Sequence, residues 1–288
     1  KPEMKADMTL PGYVADVIRR LEENGHSAYA VGGCVRDMLM GRVPHDYDVC
    51  TDALPEQTKN AFPDRITIDT GIKHGTVTVI SDGHPVEITT FRTESGYSDG
   101  RHPDSVSFTA SLEGDLSRRD FTVNAMAYSG KTGLIDISGG RDDLENRIIR
   151  CVGDPEKRFS EDHLRILRAI RFSAVLGYNI EERTSAAVMK LKDSLVTVSP
   201  ERIAAELDKA VMGINFGKVL TEYPEVFAVF IPELAPCIGY DQNNPHHIHD
   251  LLTHTAKAVD ACPDDRIVRL AALFHDLGKP STVTVGSD

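Results

Sequence analysis

Hydrophobic positions change their period partway along the chain. Val14, Val17, Ile18 and Leu21 follow Leu10-Pro11-Gly12 at helical spacing, and Gly25 is placed to end that helix. Residues 28–31 form a short apolar run that enters Gly32-Gly33, and residues 36–40 read as one or two helical turns closed by Gly41. Asp46-Tyr47-Asp48-Val49 reads as a short strand and residues 55–62 as a helix. Stretches 66–69, 75–80 and 85–91 alternate in strand fashion and are rich in Val, Ile and Thr. The polar run 94–103, with Asp99-Gly100, reads as a loop. From about Leu112 the period becomes helical. Residues 112–128 contain helical segments and 135–140 a turn, while 161–176, 182–192, 201–212 and 251–261 carry apolar residues three or four apart. The pattern predicts a small α/β domain, a boundary near Gly139-Gly140, and an all-helical remainder. No internal repeat or low-complexity tract interrupts it.

Length and composition narrow the classes. At about 150 residues per domain, 288 residues suggest two domains, or three small ones. A hydrophobic share of 41% excludes a disordered chain, and no apolar run is long enough for a transmembrane helix. Residues 1–7 are charged with no apolar stretch behind them, which argues against a signal peptide. Cys34, Cys50, Cys151, Cys237 and Cys262 are scattered and never form a C-x-x-C pair, as expected of thiols in a reducing cytosol. Lys plus Arg is 32 and Asp plus Glu is 44, a net charge of −12 that by itself argues against a nucleic-acid partner.

Three motifs outweigh that balance. They are Gly32-Gly33-x-x-Arg36-Asp37, Asp46-x-Asp48, and Arg118-Arg119-Asp120-Phe121-Thr122-Val123-Asn124. Residues two apart on a strand share a face, so Asp46 and Asp48 would project side by side. Carboxylates that close repel unless a cation sits between them. Mg²⁺ suits, because it takes hard oxygen ligands and leaves room for phosphate oxygens. A glycine pair between strand and helix lets backbone approach an anion, and Arg36 could pair with a triphosphate. Taken singly, D-x-D is more often a solvated turn and Gly-Gly a plain tight turn. The spacing is neither that of a Rossmann nor of a P-loop motif.

In combination and order, these motifs resemble the class II bacterial tRNA nucleotidyltransferases (CCA-adding enzymes) and their poly(A) polymerase relatives. The resemblance runs from Tyr29-Ala30-Val31-Gly32-Gly33-Cys34-Val35-Arg36-Asp37 through Asp46-Tyr47-Asp48, Thr90-Phe91-Arg92, the stretch 97–104 and Arg118 to Asn124. It continues over 136–150 and Glu161-Asp162-His163-Leu164-Arg165. It implies an α/β head of the DNA polymerase β-like nucleotidyltransferase type over 1–138, a helical neck and body over 139–245, and a further helical region over 246–288. It also implies that Asp46 and Asp48 hold Mg²⁺, with Glu87 as the candidate third acid. Gly33, Arg36 and Arg119 would contact the nucleotide, and Asp120 would help select a ribose. Glu161-Asp162-x-x-Arg165 resembles the family's base-reading motif. Asp162 and Arg165 are three apart on a helix and share a face, an acceptor beside a fork of donors, and Arg168 and Arg171 continue that face. The stretch with Tyr97, Asp99 and Arg101 resembles a loop that switches between CTP and ATP. Asp136, Gly139, Gly140 and Asp143 resemble a hinge, and 200–207 a packing helix.

Five of the eleven histidines lie in the last 43 residues: His246, His247, His249, His254 and His275. His275-Asp276-x-Gly278-Lys279 resembles the HD phosphohydrolases, in which His254, His275 and Asp276 would ligate a divalent metal. The later Asp that this pattern needs does not appear before Asp288, so the HD unit reads as incomplete and the chain as part of a longer protein. The sequence thus leads to an expectation of template-independent CCA addition to tRNA from CTP and ATP, in the cytoplasm, with Mg²⁺ and without a membrane. Its rivals are a poly(A) polymerase, a CC-only or A-only enzyme, a metal-dependent HD phosphohydrolase and a non-catalytic RNA-binding protein.

Overall fold

The computed structural model describes residues 8–95, 105–240 and 250–282. Tyr97, Asp99 and Arg101, and likewise His246, His247 and His249, lie outside the described residues. The chain forms two compact units that divide in sequence between Asp154 and Pro155.

The first unit runs α1 (Gly12–Glu23), β1 (Ala28–Val31), α2 (Gly33–Leu39), β2 (Asp48–Thr51), α3 (Pro55–Ala61), β3 (Thr67–Gly71), β4 (Thr76–Ser81) and β5 (His84–Thr90). It continues with β6 (Arg92–Ser95), β7 (Ser105–Phe108), α4 (Leu112–Ser117), β8 (Met126–Ser129), β9 (Gly133–Asp136) and α5 (Gly140–Asn146). Seven strands form one sheet in the order β3-β4-β5-β2-β1-β8-β9, and β6 and β7 pair separately. All neighbours in the large sheet are antiparallel except β2 and β5, which are parallel. Val14, Val17, Ile18 and Leu21 are the buried stripe of α1. Val31, Cys50, Phe91, Leu116 and Ala127 form a buried cluster that joins β1, β2 and β8 to α4. Burial of each large side chain of this kind contributes about 1.5–3 kcal/mol.

Three expectations are corrected here. The helical period assigned from Leu112 hides two strands, because β8 and β9 return to the sheet after α4. Met126 and Ala127 are fully buried in an interior strand between β1 and β9. A strand covered on both faces loses its period of two and cannot be told from a buried helix by pattern. Residues 133–136, read partly as a turn, form β9. Asp46 is not on β2, which starts at Asp48. Its antiparallel partner β1 ends at Val31, opposite Asp48, and Gly32 then leaves the ladder with a φ of 81°. Asp46 and Tyr47 therefore have no β1 backbone left to pair with.

Residues 139–154 pack on the first unit, so its end falls at Asp154 and not at the glycine pair. Thr122 Oγ1 donates to Asp143 Oδ2 at 2.6 Å, and Arg150 Nε donates to the same oxygen at 3.1 Å. Backbone bonds from Thr122 N to Arg150 O and from Val152 N to Asp120 O close the joint.

The second unit is helical: α6 (Pro155–Glu161), α7 (Leu164–Leu176), α8 (Glu182–Leu191), α9 (Pro200–Val211), α10 (Phe216–Glu222), α11 (Pro224–Phe230), α12 (Leu251–Ala261), α13 (Arg266–Phe274) and α14 (Lys279–Thr282). α7 packs on α9, and α10 on α12. Ile166, Leu167 and Ile170 of α7 are fully buried. Among the described residues no helix is long and apolar enough to cross a membrane. The expected order, a mixed α/β region followed by helices, holds.

Gly140 tests the joint. A Cβ there would meet the Thr122 carbonyl oxygen at 2.2 Å. Gly140→Ala is expected to cost about 1–3 kcal/mol, as overpacking against rigid backbone does. A thermal midpoint equal to wild type by circular dichroism would contradict this packing.

Candidate active site

The parallel ladder of β2 and β5 sets Asp48 opposite Glu87 in register. Partners in register on neighbouring strands share a face. Val49 and Ile88, the next pair along, are buried, whereas Asp48 and Glu87 are exposed. Asp48 meets solvent on one side but is hemmed in by protein on the others. Burial is the main cause that pushes its carboxyl above the ordinary value; Glu87 and Asp46 push the same way, and Arg119 opposes them. Asp46 sits in the bend before β2, largely exposed, with its Oδ2 2.9 Å from His45 Nδ1. Asp48 and Glu87 thus lie side by side, and Asp46 is near enough for its charge to act on Asp48. Two carboxylates set opposite each other in register repel, and a divalent cation of the Mg²⁺ type would relieve that repulsion. Among the described residues the three acids do not converge as a ready ligand set, because Asp46 lies in the bend outside the strand.

The glycine pair follows β1. Gly32 adopts φ 81°, ψ −136°, a conformation that only glycine takes readily. A Cβ at Gly32 would also press on Arg119 Nη1 at 3.3 Å. The turn therefore needs glycine for its backbone and for the arginine packed on it. Arg36 reaches back from α2, donating from Nε to Asp37 Oδ1 at 2.9 Å and from Nη1 to Asn124 Oδ1 at 2.6 Å. Cys34 stands beside the turn, but burial pushes its thiol up to about 11, so it is no nucleophile at neutral pH.

Arg118 and Arg119 follow α4 and face a buried carboxylate, Asp115. Asp115 Oδ1 accepts from Arg118 Nη2 at 3.0 Å, and Oδ2 from Arg119 Nη2 at 3.2 Å. Arg118 Nη1 also donates to Glu94 Oε1 at 3.3 Å. Asp120 is buried, and its Oδ1 accepts from the Phe121 N–H at 2.7 Å. Asp115, Glu94 and Asn124 are absent from the sequence-derived site. The spacing Asp115-x-x-Arg118-Arg119 held a signal, since residues three and four apart meet on a helix.

In the second unit Asp162 does not share a helix face with Arg165, contrary to the sequence reading. The stretch 161–176 is not one helix, because it breaks between α6 and α7 at Asp162-His163. Asp162 Oδ1 accepts from the Leu164 N–H at 3.1 Å, a local side-chain bond of the kind that ends helices and starts them. The cation on Asp162 is Arg202, whose Nη2 lies 3.0 Å from Oδ2. Arg165 instead donates to Glu161 Oε2 at 2.9 Å. Arg168 and Arg171 both reach Glu206, at 3.8 Å and 2.5 Å, and both lie over the Phe172 ring. Arg202 and Glu206 come from α9, the helix that sequence reading assigned to packing. Their spacing of four puts them on one face.

Among the described residues, His254, His275 and Asp276 form a cluster whose potential ligand atoms lie within 4.8 Å of one another. Asp276 Oδ2 is 3.5 Å from His254 Nε2, 3.0 Å from His275 Nε2 and 2.7 Å from Lys279 Nζ.

The raised position of Asp48 has a consequence for stability. A carboxyl raised by folding stabilises the fold below its ordinary value of 3.8 and loses that contribution as pH rises through the raised one. At neutral pH without added metal, Asp48 is thus an ionised group that the fold disfavours. Asp48→Asn is expected to raise the thermal midpoint at pH 7, and the gain should vanish on acidification below the ordinary carboxylate value. A lower midpoint at pH 7 would contradict the crowding described here.

Comparison with known proteins places this geometry. The family model "Poly A polymerase head domain" matches residues 28–150, and "Probable RNA and SrmB- binding site of polymerase A" matches residues 177–238. The CCA-adding enzyme of Lactobacillus helveticus is 52% identical over 199 residues, covering 69% of this chain and 49% of that protein. That of Lactobacillus delbrueckii subsp. bulgaricus is 50% identical over 252 residues, 88% of this chain and 60% of that protein. The chain thus spans about half of the curated relatives it matches. The crystal structure of the Bacillus stearothermophilus CCA-adding enzyme in complex with CTP superposes with a TM-score of 0.78 at 38% identity, over 92% of this chain and 62% of that one. A tRNA nucleotidyltransferase complexed with a primer tRNA and an incoming ATP analog gives 0.65 at 26% identity, over 91% of this chain and 75% of that one. With its nucleotidyltransferase head, its paired carboxylates and the helical region that follows, the chain belongs to the poly(A) polymerase and tRNA nucleotidyltransferase family.

Proposed function

We propose that the chain carries the catalytic part of a cytoplasmic, template-independent tRNA nucleotidyltransferase that builds the CCA end from CTP and ATP. The observation that carries this reading is the Asp48–Glu87 pair, with Asp46 beside it, in a head domain whose glycine turn holds Arg119. The names of the relatives support the substrates: CCA-adding enzymes, one with CTP and one nucleotidyltransferase with primer tRNA and an ATP analog.

The tRNA 3′-hydroxyl oxygen forms the new bond to the α-phosphorus, the bond to the bridging oxygen breaks, and pyrophosphate leaves. Asp48 and Glu87, with Asp46 from the neighbouring bend, would hold Mg²⁺, which would lower the pKa of an attacking hydroxyl and offset developing charge. Arg119 and Arg36, with the Gly33 backbone, hold the triphosphate, since guanidinium groups match phosphate oxygens in pairs. Asp120 acts on the ribose, where a hydroxyl offers both a donor and an acceptor. Asp162, held by Arg202, is the candidate acceptor for a base edge and Arg165 a candidate donor, each placed by its own partner and not as one helix face, while Arg168 and Arg171 add basic groups on α7. Choice between bases then rests on protein hydrogen bonds in place of a template. The acidic total is compatible with this, because a local cluster of arginines sets the field at a site.

The test is an extension assay with Mg²⁺ on tRNA ending at the discriminator base, with each nucleotide supplied singly and together. Addition of three residues, dependent on both CTP and ATP, is the expected result. Two C residues would make the protein a CC-adding enzyme, one A an A-adding enzyme, and a long A tract a poly(A) polymerase. Asp46→Ala and Asp48→Ala are expected to abolish incorporation with the fold retained. Asp162→Ala is expected to relax the choice of CTP over UTP, and unchanged discrimination would remove Asp162 from base reading.

A second reading concerns the far end of the chain. His254, His275 and Asp276 would hold a divalent metal of the kind that accepts mixed nitrogen and oxygen ligands. The ammonium of Lys279 competes for the same Asp276 oxygen. Titration with Mn²⁺ or Zn²⁺ should therefore show binding that His275→Ala removes and Lys279→Met strengthens. Equal binding by all three proteins would exclude the site.

A further inference from the structure

We propose that Asp115 is the positioning residue for nucleotide binding in the head: one buried carboxylate holds Arg119 against the glycine turn and ties it to Arg118 and to the start of β6. The inference rests on the reading of Arg119 as a contact of the nucleotide.

Asp115 is fully buried in the first unit. A carboxylate taken out of water is costly unless its oxygens are well bonded. Here four N–H groups from three residues meet it. Oδ1 accepts from the Arg92 backbone at 3.2 Å, from Arg118 Nε at 3.2 Å and from Arg118 Nη2 at 3.0 Å. Oδ2 accepts from Arg119 Nη2 at 3.2 Å. The contacts continue outward, because Glu94 Oε1 lies 3.3 Å from Arg118 Nη1 and 3.0 Å from Arg92 Nη2. One chain of charge thus runs from β6 through Arg118 and Asp115 to Arg119.

Arg119 stands between two pulls. One is the hydrogen bond to Asp115; the other is Asp48, where the charge of Arg119 is felt. An arginine drawn fully to Asp48 would neutralise that acid and withdraw from a triphosphate. Asp115 occupies Nη2 and leaves Nη1 against Gly32, beside the turn. The Nε of Arg119 is buried and makes no hydrogen bond among the described residues. A buried donor without an acceptor is a place where an anionic ligand can complete the set. Burial, the largest single effect, would lower the pKa of Arg119, but Asp115 together with Cys50 and Asp120 outweighs it, and the group stays charged.

An asparagine at 115 keeps the shape and an acceptor but removes the charge. The test measures CTP binding to the full chain by titration calorimetry, without tRNA, so that no turnover enters. Asp115→Asn is expected to bind CTP at least about tenfold more weakly, the scale of a lost charge-assisted bond. Arg119→Ala is expected to lose as much, and the double variant no more than Arg119→Ala alone. Non-additivity of this kind is what action through Arg119 requires. Arg119→Lys, which leaves Asp115 intact, asks the question from the other side and covers the case in which Asp115→Asn does not fold. Its ammonium keeps the charge without the fork, and it should bind like the alanine variant. Affinity of Asp115→Asn within about twofold of wild type, or losses that multiply in the double variant, would overturn the inference. Wild-type affinity in Arg119→Lys would do the same. A wild-type chain that binds neither CTP nor ATP would instead remove the reading of the site itself, and this inference with it.

Discussion

The parallel pairing of β2 with β5 is the constraint on which the chemistry of the first unit depends. Neighbouring strands lie about 4.8 Å apart, so residues in register cannot avoid each other. Asp48 and Glu87 are such a pair. Their repulsion adds to the burial that disfavours an ionised Asp48. The fold thus holds two acids together against their own charge, and this makes the place suited to a cation. A solvated D-x-D turn would leave its carboxylates free to part. β2 does not let Asp48 move, because Val49 and Cys50 beside it are fully buried.

Cations of the same unit are held just as firmly. Arg36 is fixed by Asp37 and Asn124, and Arg118 and Arg119 by Asp115. An arginine on a free stem loses rotamer entropy when it grips an anion. One already fixed by a carboxylate has lost most of it on folding, so more of the contact energy remains for the ligand. The acids and bases are interleaved across the end of β1, the start of β2 and the turn after α4.

In the second unit, α9 supplies what α7 needs. Asp162 starts α7 by accepting the Leu164 N–H, and Arg202 holds its other oxygen. Glu206, one turn further along α9, meets Arg168 and Arg171, while Phe172 lies under both guanidinium groups. A helix that reads as packing is thus also the electrostatic partner of the arginine face. The two roles coincide because the buried Leu207 and Ala210 of α9 fix its rotation, and that rotation aims Arg202 and Glu206.

The sequence by itself determined the order of the two regions, the glycine turn, the place of Asp48 on its strand and the Arg-Arg-Asp run. Each of these is local, and short-range spacing or backbone freedom writes it into the chain. Through resemblance it also singled out Glu87, which the β2–β5 register sets opposite Asp48, and His254, His275 and Asp276, which lie together. It misread β8 and β9, because strands buried inside a sheet lose their alternation, and it put Asp46 on a strand whose partner stops at Val31. It joined Asp162 to Arg165, where the helix breaks at Asp162-His163 and Arg202 takes the charge. Only the tertiary structure decided which arginine meets which carboxylate. Sequence spacing limits which charges can meet along one helix, but pairs brought together from separate elements, such as Arg36 with Asn124 or Arg202 with Asp162, depend on how those elements are packed.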